Sequence, residues 1–314
     1  MPTSASQPVL YQVHHVTRYD YASEVMQARH WLHLRPREYA HQRVLAQGLL
    51  VDPAPSEITS VADAFGNQTV HANIDRPHAY LDVTADMKVL LKKRTVSAAM
   101  DTPAWEKVRD ELCYSNRPRT ETELEALRYR LESPQIKIKT VFGELAQSCF
   151  GKHEPILVGA TNLMHKLFET LTYKPGATNT ATPLAEVLEK RHGVCQDYAH
   201  LMIACLRSLG LPARYISGYL RTTRSRDEKA SPSLIGADAS HAWVAVYVPQ
   251  LGWVELDPTN NMLVDTDHIA LGWGRDFSDV SPLRGVITGG GTHTLTVAVS
   301  VIPIDSTSRQ NVPL

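Results

Sequence analysis

Cysteine is scarce in this sequence: four residues in 314, Cys113, Cys149, Cys195 and Cys205, with no close pairing among them. This excludes a disulfide framework and suits a reducing, cytoplasmic location. Charge of one sign is also lacking. With 32 Lys and Arg against 33 Asp and Glu, the formal net charge is −1, which offers no electrostatic case for nucleic acid or a membrane surface. No apolar run approaches the length that spans a bilayer. The opening MPTSASQPVLYQ has neither the basic start nor the apolar centre of a secretory signal. There is no acidic loop with calcium-ligand spacing, no internal repeat and no low-complexity tract. Gly289-Gly290-Gly291 lacks the strand-to-helix step and the Lys-Ser/Thr of a phosphate loop, so it reads as the turn of a last hairpin, Leu283–Ile287 with Thr294–Ile302. At 43% apolar and 21% charged residues, the composition is that of an ordinary globular protein, long enough for two domains or for one core with an appendage.

Four regions follow from the patterning. Residues 1–98 read as an N-terminal β domain, sandwich-like, with extended segments at Tyr11–Thr17, Ala28–Leu34, Arg43–Val51, Ile58–Ala62, Thr69–Ile74 and Ala79–Leu91. Its histidines (His14, His15, His30, His33, His71, His78) have no short-range cysteine or carboxylate partners and read as surface or sheet residues rather than metal ligands. Residues 99–150 form a helical connector. One helix opens at Asp101-Thr102-Pro103, and a second is capped by Thr120 or Thr122 and runs to Leu131. Residues 151–262 form a core and 263–314 a C-terminal β extension. In the core, Ile156 to Leu171 carries apolar residues at helical spacing. A short helix then starts with Thr182 as N-cap and Pro183 at its first position, and stops at Gly193.

The rest of the chain is organised around GVCQDYAHLMIACLRSLGLPARYISGYL, Gly193 to Leu220. Tyr198, Leu201, Met202, Cys205, Leu206 and Leu209 fall at steps of three and four, while Ala199, Ile203 and Ala204 widen the apolar face, so the helix should be central and buried. Gly210-Leu211-Pro212 ends it. Cys195 therefore lies in the first turn, where unpaired N–H groups and the helix dipole favour a thiolate. A cysteine beside an apolar helix is also commonly an inert core residue, as Cys205 should be. After a strand at Ala213–Arg221 comes the polar, breaker-rich RTTRSRDEKASPSLIGADAS, a surface loop beside the site. A hairpin then turns at Leu251-Gly252. Its first strand opens with His241 and its second ends with Asp257, so the two residues can be adjacent although sixteen positions apart. A nucleophile, a base and an orienting carboxylate are thereby available: Cys195, His241 and Asp257.

The segments GVCQDYAHLMIACLRSLGLPARYISGYL, SHAWVAVYVPQLGWVELDPTN and GRDFSDVSPLRGVITGGG together resemble the bacterial transglutaminase-like superfamily, and YDYASEVMQARHWLHLRPR resembles that group's N-terminal flank. The resemblance implies an α+β, papain-like core and a Cys-His-Asp triad, which falls on Cys195, His241 and Asp257. It implies thiol-dependent acyl transfer on amide bonds of a peptide or protein substrate through an acyl-thioester. Peptide or amide hydrolysis by a cysteine protease is the first reading. Transamidation by the same triad and a non-catalytic peptide-binding module are the alternatives, and oligomeric state stays open. No cofactor or metal is expected; His192, Cys195 and Asp197 imitate a metal cluster but lack a fourth ligand.

Around the triad, Gln196, Trp243, Arg275 and Asp276 are candidates for substrate contact, with Asp279 beside them in the same flank. Trp243 could equally be a core residue, and Asp197 reads as a helix-end stabiliser. His200 points elsewhere around the helix. Arg214 and Arg221 could hold a substrate carboxylate, although packing or solvation accounts for them as simply. The Cys195 N–H is a natural oxyanion donor.

Overall fold

The computed structural model describes residues 7–94, 99–113, 116–222 and 240–304. Its first element sets the layout of the N-terminal half. β1 (Val9–Leu32) is a single strand of 24 residues, not the two segments that its composition suggests. β2 (Gln42–Asp52), β3 (Glu57–Ala62), β4 (Gln68–Ile74) and β5 (His78–Leu91) follow, and the sheet order is β2-β5-β1-β4-β3. The first half of β1 pairs with β5 and the second half with β4, with an irregularity between Asp20 and Val25. Tyr11 and Val13 from one half share a buried cluster with Val25, Ala28, Leu32 and Ile74 from the other. The sandwich-like region is thus one sheet bent over its own core.

Helices follow. α1 (Trp105–Glu111) starts two residues after Pro103, and a 3-10 turn covers Ala99–Asp101, so Asp101-Thr102-Pro103 precedes the helix instead of forming its first turn. α2 (Glu121–Leu127) is capped by Thr120. The Thr120 hydroxyl accepts the Glu123 N–H while the Glu123 carboxylate accepts the Thr120 N–H. α3 (Thr140–Gln147), a third helix in the connector beyond the two expected there, buries Phe142 and Ala146. α4 (Ile156–Thr170) leads through β6 (Thr172–Tyr173) to α5 (Leu184–Lys190), β7 (His192–Gly193) and the central α6 (Cys195–Ser208). Trp105, Val108, Phe142 and Ala146 all belong to the buried cluster around α6, so the helices of residues 99–150 are packed into the core rather than strung beside it.

Two local expectations fail near α5. Thr182 does not cap it: the Thr182 hydroxyl accepts the Asn179 N–H at 3.0 Å, turned back into the preceding loop, and Pro183 occupies the N-cap position. The stop is Arg191, in the left-handed region at φ 55°, rather than Gly193.

The core sheet is antiparallel. β8 (Ala213–Leu220), β9 (His241–Val248), β10 (Gly252–Asp257), β11 (Met262–Leu263) and β12 (His268–Gly274) pair in the order β11-β10-β9-β8-β12. After β11 the chain crosses the sheet and returns along β8, so the core sheet extends past residue 262. Ala242, Val244, Val246, Val254 and Leu256 pack with α6, while Trp243 and Ala245 belong to a second cluster with Trp273 on the other face. α7 (Phe277–Val280) is a single turn. β13 (Leu283–Gly289) and β14 (His293–Ile304) are not a hairpin. β13 pairs with Val25–Leu32 and β14 with Leu10–Tyr21, so the two lie end to end along one edge of β1. Gly289, Gly290 and Gly291, all at positive φ, carry the chain past the irregular part of β1. Tyr219, Ile269 and Leu271 insert into the N-terminal cluster and join the two sheets. Of the loop expected beside the site, RTTRSRDEKASPSLIGADAS, residues 223–239 lie outside the described residues. Among the described residues no helix is long and apolar enough to cross a membrane.

Candidate active site

α6 begins with Cys195, which is half-buried and unpaired with any other cysteine. Its helix is apolar on nearly every side, and eleven of its residues are buried, including Leu201, Met202, Ile203 and Leu206. The helix is therefore held from all directions and its first turn has a fixed position. Asp197 fastens that turn: its Oδ2 accepts the Val194 N–H at 2.8 Å and the Thr178 hydroxyl. Burial pushes the Asp197 carboxyl up, against the pull of these two hydrogen bonds. Gly193 makes room for it, since a Cβ there would stand 2.7 Å from Asp197 Oδ2 and 2.8 Å from its Cβ. We expect Gly193→Ala to displace the carboxylate and lower stability by about 1–3 kcal/mol, measured by urea unfolding.

The imidazole and the carboxylate come from the hairpin. The β9–β10 ladder ends with Leu256 opposite Val244, so Asp257 stands one step beyond and reaches His241 diagonally. His241 Nε2 lies 2.9 Å from Asp257 Oδ2, and neither side chain is exposed. Two further groups at this carboxylate escaped the sequence reading. His268, the first residue of β12, places its Nε2 3.0 Å from the same Oδ2. Asn260 donates to it from Nδ2 at 2.7 Å. Oδ1 accepts the N–H groups of Thr259 at 2.9 Å and Asn260 at 3.2 Å. The Asp-Pro-Thr-Asn order carries a readable signal for that last part, an Asx turn. Nothing in the spacing announces His268, which arrives by the crossover.

These contacts have electrostatic consequences. Burial alone would raise the Asp257 carboxyl, but the imidazoles of His241 and His268 hold it far below the usual carboxylate range. Burial would likewise lower the His241 imidazole. Asp257 and the Cys195 thiol outweigh it and push the group up to about 10. His241 Nδ1, the ring nitrogen not used on Asp257, is buried without a hydrogen-bond partner among the described residues, and the Cys195 thiol adds to the upward push on the ring. The stabilising effect of a protonated His241 is complete below its unfolded pKa near 6.5 and disappears as pH rises through about 10. That of ionised Asp257 is complete above about 4 and fades as pH falls below that. Asp257→Asn should remove the attraction and leave the burial, so the His241 ring signal in NMR should titrate at or below about 6.5 instead of well above it.

Trp243 roofs the pair. Its ring stacks on His241 at 6.1 Å between centroids and meets His268 edge-on at 5.2 Å, and its N–H donates to Glu255 at 2.7 Å. Gly218, across the ladder from His241, leaves the space: a Cβ would meet the Trp243 ring at 2.4 Å. Trp243 is fully buried in this position. Gln196, half-buried, follows Cys195 in the first turn. Arg275 pairs with Asp279 at 2.9 Å, and Asp276 is fully buried, capping α7 through the Ser278 N–H and accepting the Gln135 N–H. These contacts tie both residues to the flank of α7, away from the imidazole–carboxylate pair. His200 accepts the Phe277 N–H at 3.1 Å and is held neutral by burial, as a structural residue would be.

As to metals, the convergent trio among the described residues is His241, Asp257 and His268, whose ligand atoms lie within 4.8 Å of one another. Both Nε2 atoms already engage Asp257 Oδ2, so hydrogen bonding alone accounts for the arrangement. In the other trio, His192 turns Nδ1 to the Lys190 carbonyl and Asp197 is occupied as above.

Residues 143–258, which contain Cys195, His241 and Asp257, match the family model of the transglutaminase-like superfamily, and residues 11–90 match that of the bacterial transglutaminase-like N-terminal region. An uncharacterized protein of Mycobacterium tuberculosis is 35% identical over 303 residues, covering 94% of this chain and 93% of the relative. A protein-glutamine gamma-glutamyltransferase of Pseudomonas aeruginosa is 34% identical over 92 residues, 28% of this chain and 13% of that protein. Among solved structures, a candidate cysteine protease from Cytophaga hutchinsonii superposes with a TM-score of 0.73 at 20% identity, covering 96% of this chain and 93% of the other. That likeness establishes the fold, an α+β papain-like core behind a sheet-rich N-terminal region. With the family model lying over the thiol, the imidazole and the carboxylate, and a near full-length relative at 35% identity, this chain belongs to the transglutaminase-like superfamily.

Proposed function

We propose that this chain is a thiol-dependent hydrolase of peptide or amide bonds, with Cys195 as nucleophile, His241 as acid and base, and Asp257 as the group that orients and charges the imidazole. The observation that carries this reading is the buried imidazole–carboxylate contact of 2.9 Å, on a ring whose other nitrogen is left for the thiol at the tip of α6. The thiolate attacks the amide carbonyl carbon, forming the C–S bond. The resulting oxyanion is stabilised by first-turn N–H groups of α6, that of Cys195 foremost. Imidazolium gives its proton to the leaving nitrogen as the C–N bond breaks, and an acyl-thioester remains. Water, losing a proton to the imidazole, then attacks the thioester. The carboxylic acid departs and the thiolate returns. Four free cysteines suit a reducing, cytoplasmic setting in which this thiol persists.

Transamidation is the second reading, favoured by the glutamyltransferase match over 92 residues. It shares every step to the thioester and replaces water by an amine, an outcome that depends on how far water is excluded. Intact mass spectrometry of the protein with a peptide library and a labelled primary amine tests both. Acyl adducts on Cys195 with release of free acid support hydrolysis, and transfer of the label supports transamidation. If neither adduct nor product forms in the wild type, the catalytic reading fails.

A further inference from the structure

We propose that the cavity between the N-terminal region and the outer face of the core sheet binds an organic oxyanion, carboxylate or phosphate, through Arg37, Arg214 and the Trp273 N–H, with the ligand's apolar body resting on Trp253 and Tyr129. The cavity has a volume of about 550 Å³, within the range that holds small ligands, and none of Cys195, His241 and Asp257 lines it. Nothing in the hydrolase reading requires it.

Charge balance is the first argument. Four guanidinium groups line the walls, those of Arg37, Arg94, Arg128 and Arg214, against the carboxylates of Glu125 and Glu255. Glu255 is already used twice: by Arg94 at 2.6 Å and by the Trp243 N–H at 2.7 Å. Glu125 is reached by Arg214 and by the Trp253 N–H only at 3.3 and 3.4 Å. Arg37 and Arg128 donate to neutral acceptors, the Phe65 and Ala64 carbonyls and the Asn67 amide. Three cations therefore converge on the cavity with one loosely held carboxylate between them.

Unmet hydrogen bonding is the second argument. Arg214 Nε and Trp273 Nε1 are both buried and neither has a partner among the described residues. The Arg214 side chain is only 5% exposed, and burial pulls its guanidinium pKa down to about 10. Buried donors are nearly always satisfied, and leaving one unpaired costs about 1–3 kcal/mol. Arg214 and Trp273 both line the cavity, and an acceptor bound there is the group that would satisfy these two donors.

Rigidity is the third. The Trp273 ring carries the Arg37 guanidinium at 3.7 Å from its centroid and that of Arg214 at 3.8 Å, and Arg214 lies 4.3 Å from the Trp253 ring. Stacking fixes the guanidinium planes before any ligand arrives, which reduces the ordering cost of binding. An oxyanion accepting from both arginines and the indole would complete an arrangement that the protein alone leaves short of acceptors.

Isothermal titration calorimetry of the full chain tests this with benzoate, phenyl phosphate and neutral benzamide as probes. Saturable binding of one or both anions, weakened by added salt and absent for benzamide, is expected. Benzoate alone identifies a carboxylate ligand and phenyl phosphate alone a phosphate. Arg214→Gln should weaken binding by about tenfold or more. Because Arg214 is buried, Arg37→Gln and Trp273→Phe, which keeps a ring but removes the N–H, provide the same test with less disturbance. Cys195→Ser should bind as the wild type does. The proposal is overturned if neither anion binds below about 10 mM, if benzamide binds equally, if Arg37→Gln and Trp273→Phe both keep wild-type affinity, or if Cys195→Ser abolishes binding. Loss of peptide turnover with anion binding intact would strike the hydrolase reading alone.

Discussion

Replacing Cys195 by Ala should reduce amide turnover by about 10⁴-fold or more while leaving the thermal transition almost unmoved. The asymmetry follows from position. The Cys195 side chain stands in the first turn of α6 and is half-buried, so it contributes little to the apolar cluster that the rest of the helix builds. Its sulfur is nonetheless the thiol that acts on the His241 imidazole and helps to push that group up. Iodoacetamide labelling with peptide mapping separates the four cysteines. Cys149 and Cys205 are buried and should label last, the more so because burial pushes the Cys205 thiol up. Cys113 is exposed and serves as the reference cysteine in the same tube. Cys195 should alkylate well before Cys113 at neutral pH, and His241→Gln should erase the difference by removing the imidazolium. Equal, slow labelling of both would instead favour a peptide-binding module.

Acid should unfold this protein early, and the cause is histidine rather than carboxylate. His15, His30 and His200 are all buried, and burial draws each imidazole down to about 4. In the unfolded chain each takes up a proton near pH 6.5. Between 6.5 and about 4 the unfolded state therefore binds more protons, and stability falls with falling pH by about 1.4 kcal/mol per unit for each group. Three groups acting together remove an amount comparable with the whole stability of an ordinary domain within that interval. Urea midpoints measured from pH 7 to pH 4 should decline steeply. His30 is the clearest probe, because neither ring nitrogen has a hydrogen-bond partner among the described residues. His30→Leu should flatten the decline by roughly one third, whereas an unchanged slope would show that the ring is solvated in the native state.

Much of the half that carries the candidate site was legible because its signals are local. The three- and four-residue steps of α6, the stop at Gly210-Leu211-Pro212 and the turn at Leu251-Gly252 are written in adjacent residues, and the structure has α6 and the β9–β10 hairpin where those signals put them. Caps were partly legible. Thr120 caps α2, but Thr182 turns to Asn179, because the loop before it competes for the same hydroxyl. Pairing over long sequence distances was not legible at all. β13 and β14 carry the marks of a hairpin, with glycines between two extended runs, yet both spend their hydrogen bonds on β1, more than 250 residues earlier.

The same division runs through the site. By itself the sequence determined that a cysteine opens a buried helix and that a histidine and an aspartate sit at one end of a two-stranded ladder, since hydrophobic period and turn chemistry depend only on neighbours. Tertiary structure alone decided that Asp257 is shared between His241 and His268, that Trp243 closes over both, and that Arg37, Arg214 and Trp273 meet at one cavity. Those contacts bring together side chains from several strands and loops, those of the cavity from opposite ends of the chain. Which charges end up facing each other out of water depends on how sheets and helices pack, not on any spacing along the chain.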